Sequence, residues 1–452
     1  TLLLFTIGLK LDVRSILLPR IWGVACTHML ITVVLVSLTL TLLSLTGVAA
    51  LAELDWNSRL LLALAFSFSS TVFAVKVLDE QGDMNSLHGN TAIGILVIQD
   101  IIAVLYMVWL EGVLPQWYAA GLLLLILLRI PLIHLLKITG HNELLTLLGF
   151  ALALGGYGLF EMAGLKGGVG ALFLGIVIAG HSKSNELARN LMQFKELFLV
   201  GFFLTIGLNG LPDGEQWLLA MIFAIVGILF KPLLFILLFS RSHLKVRTSF
   251  LGAMALSNYS EFGLIVIATA IGLGVLAADW AVTFALSLAL SFVFGTFLNY
   301  YKHGLYQRLH EQLARLKTDH HIEEQMPIDL KGSRFLVLGM GRTGTGAYDY
   351  LKETHGDAVM GVEERQSHYA SHLAAGRNVL HGDATNMDFW ERVNLDRIEL
   401  ILLTLTNVHE ILQVASLVRQ MGFKGQFGAV AHYDDEEELL AAQDIKSFNL
   451  YT

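Results

Sequence analysis

One cysteine in 452 residues, Cys26, excludes a disulfide within the chain and a zinc site built on cysteines. Charge is also scarce: Asp, Glu, Lys and Arg make up 15% of the residues against 55% hydrophobic ones, and the mean hydropathy is +0.62. That balance belongs to a polytopic membrane protein rather than a soluble one. No TVGYG-like loop is present of the kind that lines a potassium-channel filter. No haem or flavin motif is present that would serve a membrane oxidoreductase. Up to Lys302 there are 16 Lys and Arg against 16 Asp and Glu, so the whole formal charge of −8 falls on the C-terminal third. An acidic soluble portion has the wrong sign for nucleic acid.

What is abundant is apolar sequence in lengths suited to a bilayer. After a partial span ending near Leu9, apolar segments run at about 21–49, 59–78, 91–110, 117–137, 143–162, 167–180, 196–209, 217–240, 249–272 and 280–301. Alternating the loops places Lys10, Arg14, Arg20, Lys137, Lys183, Arg189, Lys195, Arg241, Lys245 and Arg247 on one side. The other side receives only Arg59 and Lys166. The positive-inside rule makes the first side cytoplasmic and brings the chain out of its last span there. The acidic loop Leu78 to Asp83 falls on the same side and opposes this assignment. Thr1 opens within an apolar run, so helices upstream of this numbering are expected.

LLLFTIGLKL near the start is echoed by GFFLTIGLNG near residue 208, seven spans further along, an odd number, so the copies run in opposite directions. Each echo is followed by a long span and then by one with polar residues in its interior. These are FSFSSTVFAV (Phe66 to Val75) and LSNYSEFGLI (Leu256 to Ile265). Inverted repeats with matched polar interruptions predict two unwound helices that cross near the midplane.

TAIGILVIQDIIAVLYMVWL, residues 91–110, carries one acid near its middle, Asp100, preceded by Gln99. No cation lies close in sequence. A carboxylate in hydrocarbon is expensive, so either a Lys or Arg on another helix satisfies it or a mobile proton or metal cation does. Burial disfavours its ionised form, so proton and cation would compete for one group. If only the neutralised states cross, one cation moves per proton without net charge, and Gln99 adds dipoles but no second charge. Glu261 is expected as a supporting partner or a helix end, Lys231 as a snorkelling or lipid-binding residue, and Lys76 as snorkelling. Trp109 and Trp117 read as interface anchors.

Residues 304–333 turn polar, break at Pro327 and read as a linker between a membrane domain, 1–303, and a soluble domain, 334–452. His320 and His321 lack partners at zinc-like spacing and read as solvated. From Arg334 strands and helices alternate, which predicts a doubly wound parallel sheet whose sixth strand starts near the last residues. Gly339, Gly341 and Gly344 follow an apolar strand and open a helix. There the backbone can approach a phosphate and the helix N-terminus supplies donors. Glu363 ends the next strand, where a carboxylate accepts from ribose hydroxyls, and Arg342 is placed to pair with phosphate. The alternative is a Rossmann-like domain whose site has lapsed. With no separate substrate domain, a ligand sensor is a simpler role than a dehydrogenase.

SSTVFAV, GNTAIGILVIQDIIAV, GGVGALFLGIVIAGH and FFLTIGL, followed by GMGRTG and HGDATNMD, resemble the Kef-type potassium/proton antiporters of the monovalent cation:proton antiporter-2 superfamily. The resemblance spans nearly the whole chain. It implies a polytopic α-helical membrane domain of sodium/proton antiporter-like fold with inverted repeats and crossed discontinuous helices. It also implies a C-terminal α/β Rossmann-like regulatory domain of the KTN or RCK type. Further implications are a bacterial inner-membrane location, a cytosolic C-terminal domain, a homodimer whose core domain moves, and an ancillary oxidoreductase subunit. By resemblance, Asp100 and Gln99 are ion-binding, with Ser69, Ser70 and Thr71 in the unwound crossing. Gly339, Gly341, Arg342, Gly344 and Glu363 form the site for an adenine nucleotide, AMP or NAD(H), faced by Asp383. Glutathione-gated members have a strongly acidic loop after GALFLG. The loop here, His181 to Lys195, holds three basic residues and one Glu and departs from that pattern. A sodium/proton antiporter or a nucleotide-gated cation channel is the alternative reading.

Overall fold

The computed structural model describes all residues except 1, 11–17, 46–48, 53, 85, 111–123, 126, 141–142, 164–166, 182, 185, 189, 192–193, 195–199, 202–203, 205–211, 314, 316–325, 406, 432–433 and 450–452. The chain divides into two compact units, Thr1–Met84 with His88–Asp319, and Asn85–Leu87 with His320–Thr452.

The first unit is helical, because its apolar runs can satisfy backbone groups in lipid only within the helix itself. In order come α1 (Leu2–Lys10), α2 (Pro19–Ser44), α3 (Trp56–Ser67), α4 (Thr71–Glu80), α5 (Leu87–Leu110), α6 (Arg129–Ile138), α7 (Glu143–Met162) and α8 (Gly167–Ile178). They are followed by α9 (Gly214–Arg241), α10 (Val246–Ala255), α11 (Glu261–Gly272), α12 (Asp279–Tyr300) and α13 (Lys302–Leu313). Among the described residues six stretches are long and apolar enough to cross a membrane, α3 and α4 counting together as one. Residues 111–123 and most of 196–209 lie outside the described residues, as do Trp117, His320, His321 and residues 202–203 and 205–210 of the second echo.

Both expected interruptions are real breaks. Helical structure stops at Ser67 and resumes at Thr71, and it stops at Ala255 and resumes at Glu261. Serines restart the helices. Ser70 Oγ accepts from Phe73 N–H at 3.2 Å, and Ser260 Oγ accepts from Phe262 N–H at 3.1 Å. Helices α3 and α11 pack backbone to backbone at Gly263, where a Cβ would lie 2.5 Å from the Ala65 carbonyl oxygen. One apolar cluster gathers Leu61, Phe66, Phe223, Tyr259, Phe284 and neighbours around the breaks. A second joins α1, α7 and α8 through Phe5, Leu145, Ala153, Ala171 and Leu174.

The second unit alternates strand and helix: β1 (Phe335–Leu338), α14 (Arg342–His355), β2 (Val359–Glu363), α15 (Gln366–Ala374), β3 (Val379–His381), β4 (Leu400–Leu403), α16 (Val408–Gln420), β5 (Gln426–Ala431), α17 (Asp434–Ala441) and β6 (Lys446–Asn449). All strands are parallel in the order β3-β2-β1-β4-β5-β6. β1 and β2 are buried along their whole length, so they read as continuous apolar runs rather than alternating ones. The order reverses between β1 and β4, the switch point at whose C-terminal edge such sheets bind ligands.

Candidate ion site and nucleotide site

At the two breaks the chain brings together most of the residues singled out in the membrane half. Ser69 N–H donates to Gln99 Oε1 at 2.8 Å, and Thr71 Oγ1 donates to Asp100 Oδ2 at 2.9 Å. Ser70 Oγ donates to Glu261 Oε2 at 3.1 Å, which joins the first break to the second. All six side chains are buried, Asp100 and Glu261 to 1% exposure. Ser69 Oγ, Gln99 Nε2 and Glu261 Oε1 are buried without a hydrogen bond among the described residues. Oxygens in that state suit a desolvated monovalent cation, whose hydration shell such atoms replace.

Lys231 does not snorkel. It sits within α9, 1% exposed, and its Nζ donates to the carbonyls of Phe68 at 2.6 Å and Asn258 at 3.0 Å. Its ammonium lies 5.1 Å from the centre of the Tyr259 ring. Lys231 makes no ion pair with Asp100, so the reading in which a lysine clamps that acid does not hold for it. The reason Lys231 stays inside is the backbone. A break leaves carbonyls without helical donors, and at membrane depth a buried side chain has to supply them. Phe68 and Asn258 are those carbonyls, one from each break. Hydropathy marks Lys231 only as costly and says nothing of what it meets.

The charges are sorted by backbone polarity. The cation lies where the first half-helices end in carbonyls, the negative pole, and Glu261 occupies the first turn of α11, the positive pole. Asn258 is in turn fixed by Ser257 Oγ, which donates to its Oδ1 at 2.9 Å, and by its own Nδ2, which donates to the Ser291 carbonyl at 3.0 Å. Lys76 is exposed on α4.

In the second unit the glycines stand at the end of β1. Gly339 has φ +90°, a left-handed conformation that favours glycine, and a Cβ on Gly344 would collide with the Gly339 carbonyl oxygen. Gly341 caps α14 and Arg342 begins it, exposed and without a described side-chain partner. Thr404, at the end of β4, was not singled out from sequence. Its Oγ1 donates to the carbonyls of Gly339 at 2.7 Å and Leu338 at 2.9 Å. Glu363 ends β2 at 4% exposure, and its Oε1 accepts from Arg365 N–H at 3.0 Å and Arg365 Nε at 3.4 Å. Asp383 holds its own turn, accepting from Thr385 N–H at 2.8 Å and Thr385 Oγ1 at 2.6 Å. Burial and the charges of Asp383, Glu363 and Glu410 push the Glu364 carboxyl above its usual range, against a smaller opposing effect of Arg365. The edge is thus acidic, suited to donors such as ribose hydroxyls.

The model of the sodium/hydrogen exchanger transmembrane family matches residues 1–300, two thirds of the chain. The chain belongs to the sodium/hydrogen exchanger family. It is a Kef-type member of it, and residues 335–448 of this exchanger match the TrkA-N domain. This exchanger is 26% identical over 446 residues to the glutathione-regulated potassium-efflux system protein KefC of Shigella flexneri serotype 5b, covering 93% of its own length and 68% of the relative's. The KefC of Escherichia coli strain K12 is 26% identical over 447 residues, with the same coverage. Among solved structures, the TrkA-N domain of the inner membrane protein ybaL from Escherichia coli aligns at 21% identity and a TM-score of 0.24. That alignment covers 25% of this chain and 84% of the other.

Proposed function

We propose that this exchanger is an electroneutral potassium/proton antiporter of the bacterial inner membrane. In this reading proton and cation compete for Asp100, and a nucleotide on the C-terminal domain, placed in the cytosol, regulates the exchange. The observation that carries the transport half is the pairing of the two breaks: one buried lysine on their carbonyl ends, Glu261 at a helix start, and Asp100 hydrogen-bonded to Thr71. Asp100 is the carboxylate whose charge the transported ion would neutralise. A proton does this in one half-cycle and a cation in the other. Hydroxyl and amide oxygens of Ser69, Ser70, Thr71 and Gln99 are the candidates to replace part of the cation's water.

Potassium as cargo rests on kinship with the potassium-efflux relatives. Sodium stays a second reading because the family model that matches is a sodium/hydrogen one. In the soluble half, the glycine turn at the switch point and the acid at the end of β2 support AMP or NAD(H) as the bound nucleotide. The segment 181–195 carries basic residues where glutathione-gated members are acidic, which argues against gating of that kind. A homodimer and an ancillary oxidoreductase subunit belong to the reading through kinship alone.

The test is flux in proteoliposomes. Wild type should exchange external potassium for internal protons, followed by a pH dye, and repeating the assay with sodium assigns the cargo. Asp100→Asn, which keeps the shape and removes the titratable charge, should abolish exchange while the protein remains monodisperse with an unchanged melting temperature. Retained pH-dependent flux in that variant rejects Asp100 as the site of competition.

A further inference from the structure

The carbonyl between the first two glycines of the turn is held from a distant element. His372, on α15, places Nε2 at 2.8 Å from the Met340 carbonyl oxygen. A carbonyl oxygen only accepts, so Nε2 carries the hydrogen. The other ring nitrogen, Nδ1, lies 3.5 Å from an Arg377 guanidinium nitrogen, which only donates, so Nδ1 bears the lone pair. Arg377 is itself fixed by a two-pronged pair with Asp349 of α14, Nε to Oδ1 at 2.9 Å and the terminal nitrogen to Oδ2 at 2.8 Å. A relay therefore runs from Asp349 through Arg377 and His372 to the backbone of the glycine turn, and it selects one tautomer of the ring.

The consequence follows from peptide geometry. In a trans peptide the C=O and the following N–H point in opposite directions. Pinning the Met340 carbonyl from the α15 side therefore aims the Gly341 N–H the other way, toward the open N-terminus of α14. Thr404 does the same one peptide earlier: holding the Gly339 carbonyl aims the Met340 N–H. Thr345 Oγ1 gives the Met340 carbonyl a longer bond of 3.1 Å, but from within α14 itself. The His372 bond ties the turn to a different helix.

We propose that His372 is a positioning residue for the phosphate of the bound nucleotide, holding the Met340–Gly341 peptide so that the Gly341 N–H is presented to a phosphate oxygen. This rests on the nucleotide reading above and adds to it the group that orients the turn. An oriented donor needs no reordering when ligand arrives, so affinity gains from the preorganisation.

His372→Leu removes the donor. His372→Gln restores one at nearly the same reach, because the glutamine amide nitrogen overlays Nε2. AMP and NADH are each titrated calorimetrically into the full-length protein in detergent. The Leu variant should bind about tenfold more weakly, the effect of one hydrogen bond to a buried carbonyl, and the Gln variant within about threefold of wild type. In ligand-free protein, amide exchange of the peptide covering residues 336–345 should be faster in the Leu variant only. Equal affinity and equal exchange in wild type and His372→Leu overturn the proposal. So does a Gln variant as impaired as Leu at an unchanged melting temperature. If wild type binds neither AMP nor NADH, the nucleotide reading falls, and the exchange comparison alone judges the positioning role: faster in Leu only supports it, no difference overturns it.

Discussion

Lys231 shows how one side chain serves two interruptions. An ammonium has three hydrogens, and two of them reach carbonyls on different broken helices, Phe68 and Asn258. Replacing it by methionine keeps the volume and leaves two buried acceptors without their donor, at a cost of about 1–3 kcal/mol each. Lys231→Met should therefore lower the melting temperature in detergent markedly and abolish transport; a variant with wild-type stability would mean that the carbonyls find other donors at no cost. Glu364 presents the opposite case, an acid that the folded state disfavours. Its folded pKa is raised above the ordinary 4.5 by burial and by neighbouring acids. Carrying the charge thus costs stability above the folded value, and the cost vanishes as pH falls below the unfolded one. Glu364→Gln should raise the melting temperature of the ligand-free protein at pH 7 to 8, with the gain shrinking toward pH 4. A gain independent of pH would assign the effect to something other than charge.

At the level of elements, discontinuous helices make the membrane site. A continuous helix would bury its carbonyls and N–H groups in its own ladder, whereas each break exposes one pole of two half-helices. The serines restart the chain, and Gly263 lets α3 and α11 approach closely enough for Ser70 to meet Glu261. The glycine turn between β1 and α14 uses the same physics in water, an unsatisfied helix start offered to an anion. Gly341→Asp adds both bulk and a negative charge at that start. Adenine-nucleotide affinity should fall below calorimetric detection, and an unchanged affinity would place the ligand elsewhere.

For the whole molecule, the question is whether the cycle moves net charge. One unbalanced elementary charge crossing 100 mV is worth about 2.3 kcal/mol, enough to change a rate many-fold. If one proton exchanges for one cation at Asp100, an imposed membrane potential should leave the pH-dye rate unchanged, and solid-supported membrane recordings should give no sustained current. A rate that climbs with potential would require a second charge, with Glu261 the first candidate.

Much of this was legible along the chain. The apolar spans, the two polar interruptions, Asp100 beside Gln99 and the glycine turn before a helix are local patterns, and local patterns reflect constraints of the backbone itself: a bilayer to cross, a ladder to break, a phosphate to approach. The expectation that Lys231 snorkels or binds lipid fails, and His372, Arg377 and Thr404 give no local signal, because their roles depend on partners remote in sequence. Phe68 and Asn258 lie 163 and 27 residues from Lys231, and Met340 lies 32 residues from His372. Composition and periodicity determined a polytopic membrane domain followed by a Rossmann-like domain, and the motifs around Asp100 carried the resemblance to exchangers. Which side chain satisfies which stranded carbonyl was decided only by the tertiary structure, since a hydrogen bond depends on distance in space and sequence spacing carries that distance only within a turn or two.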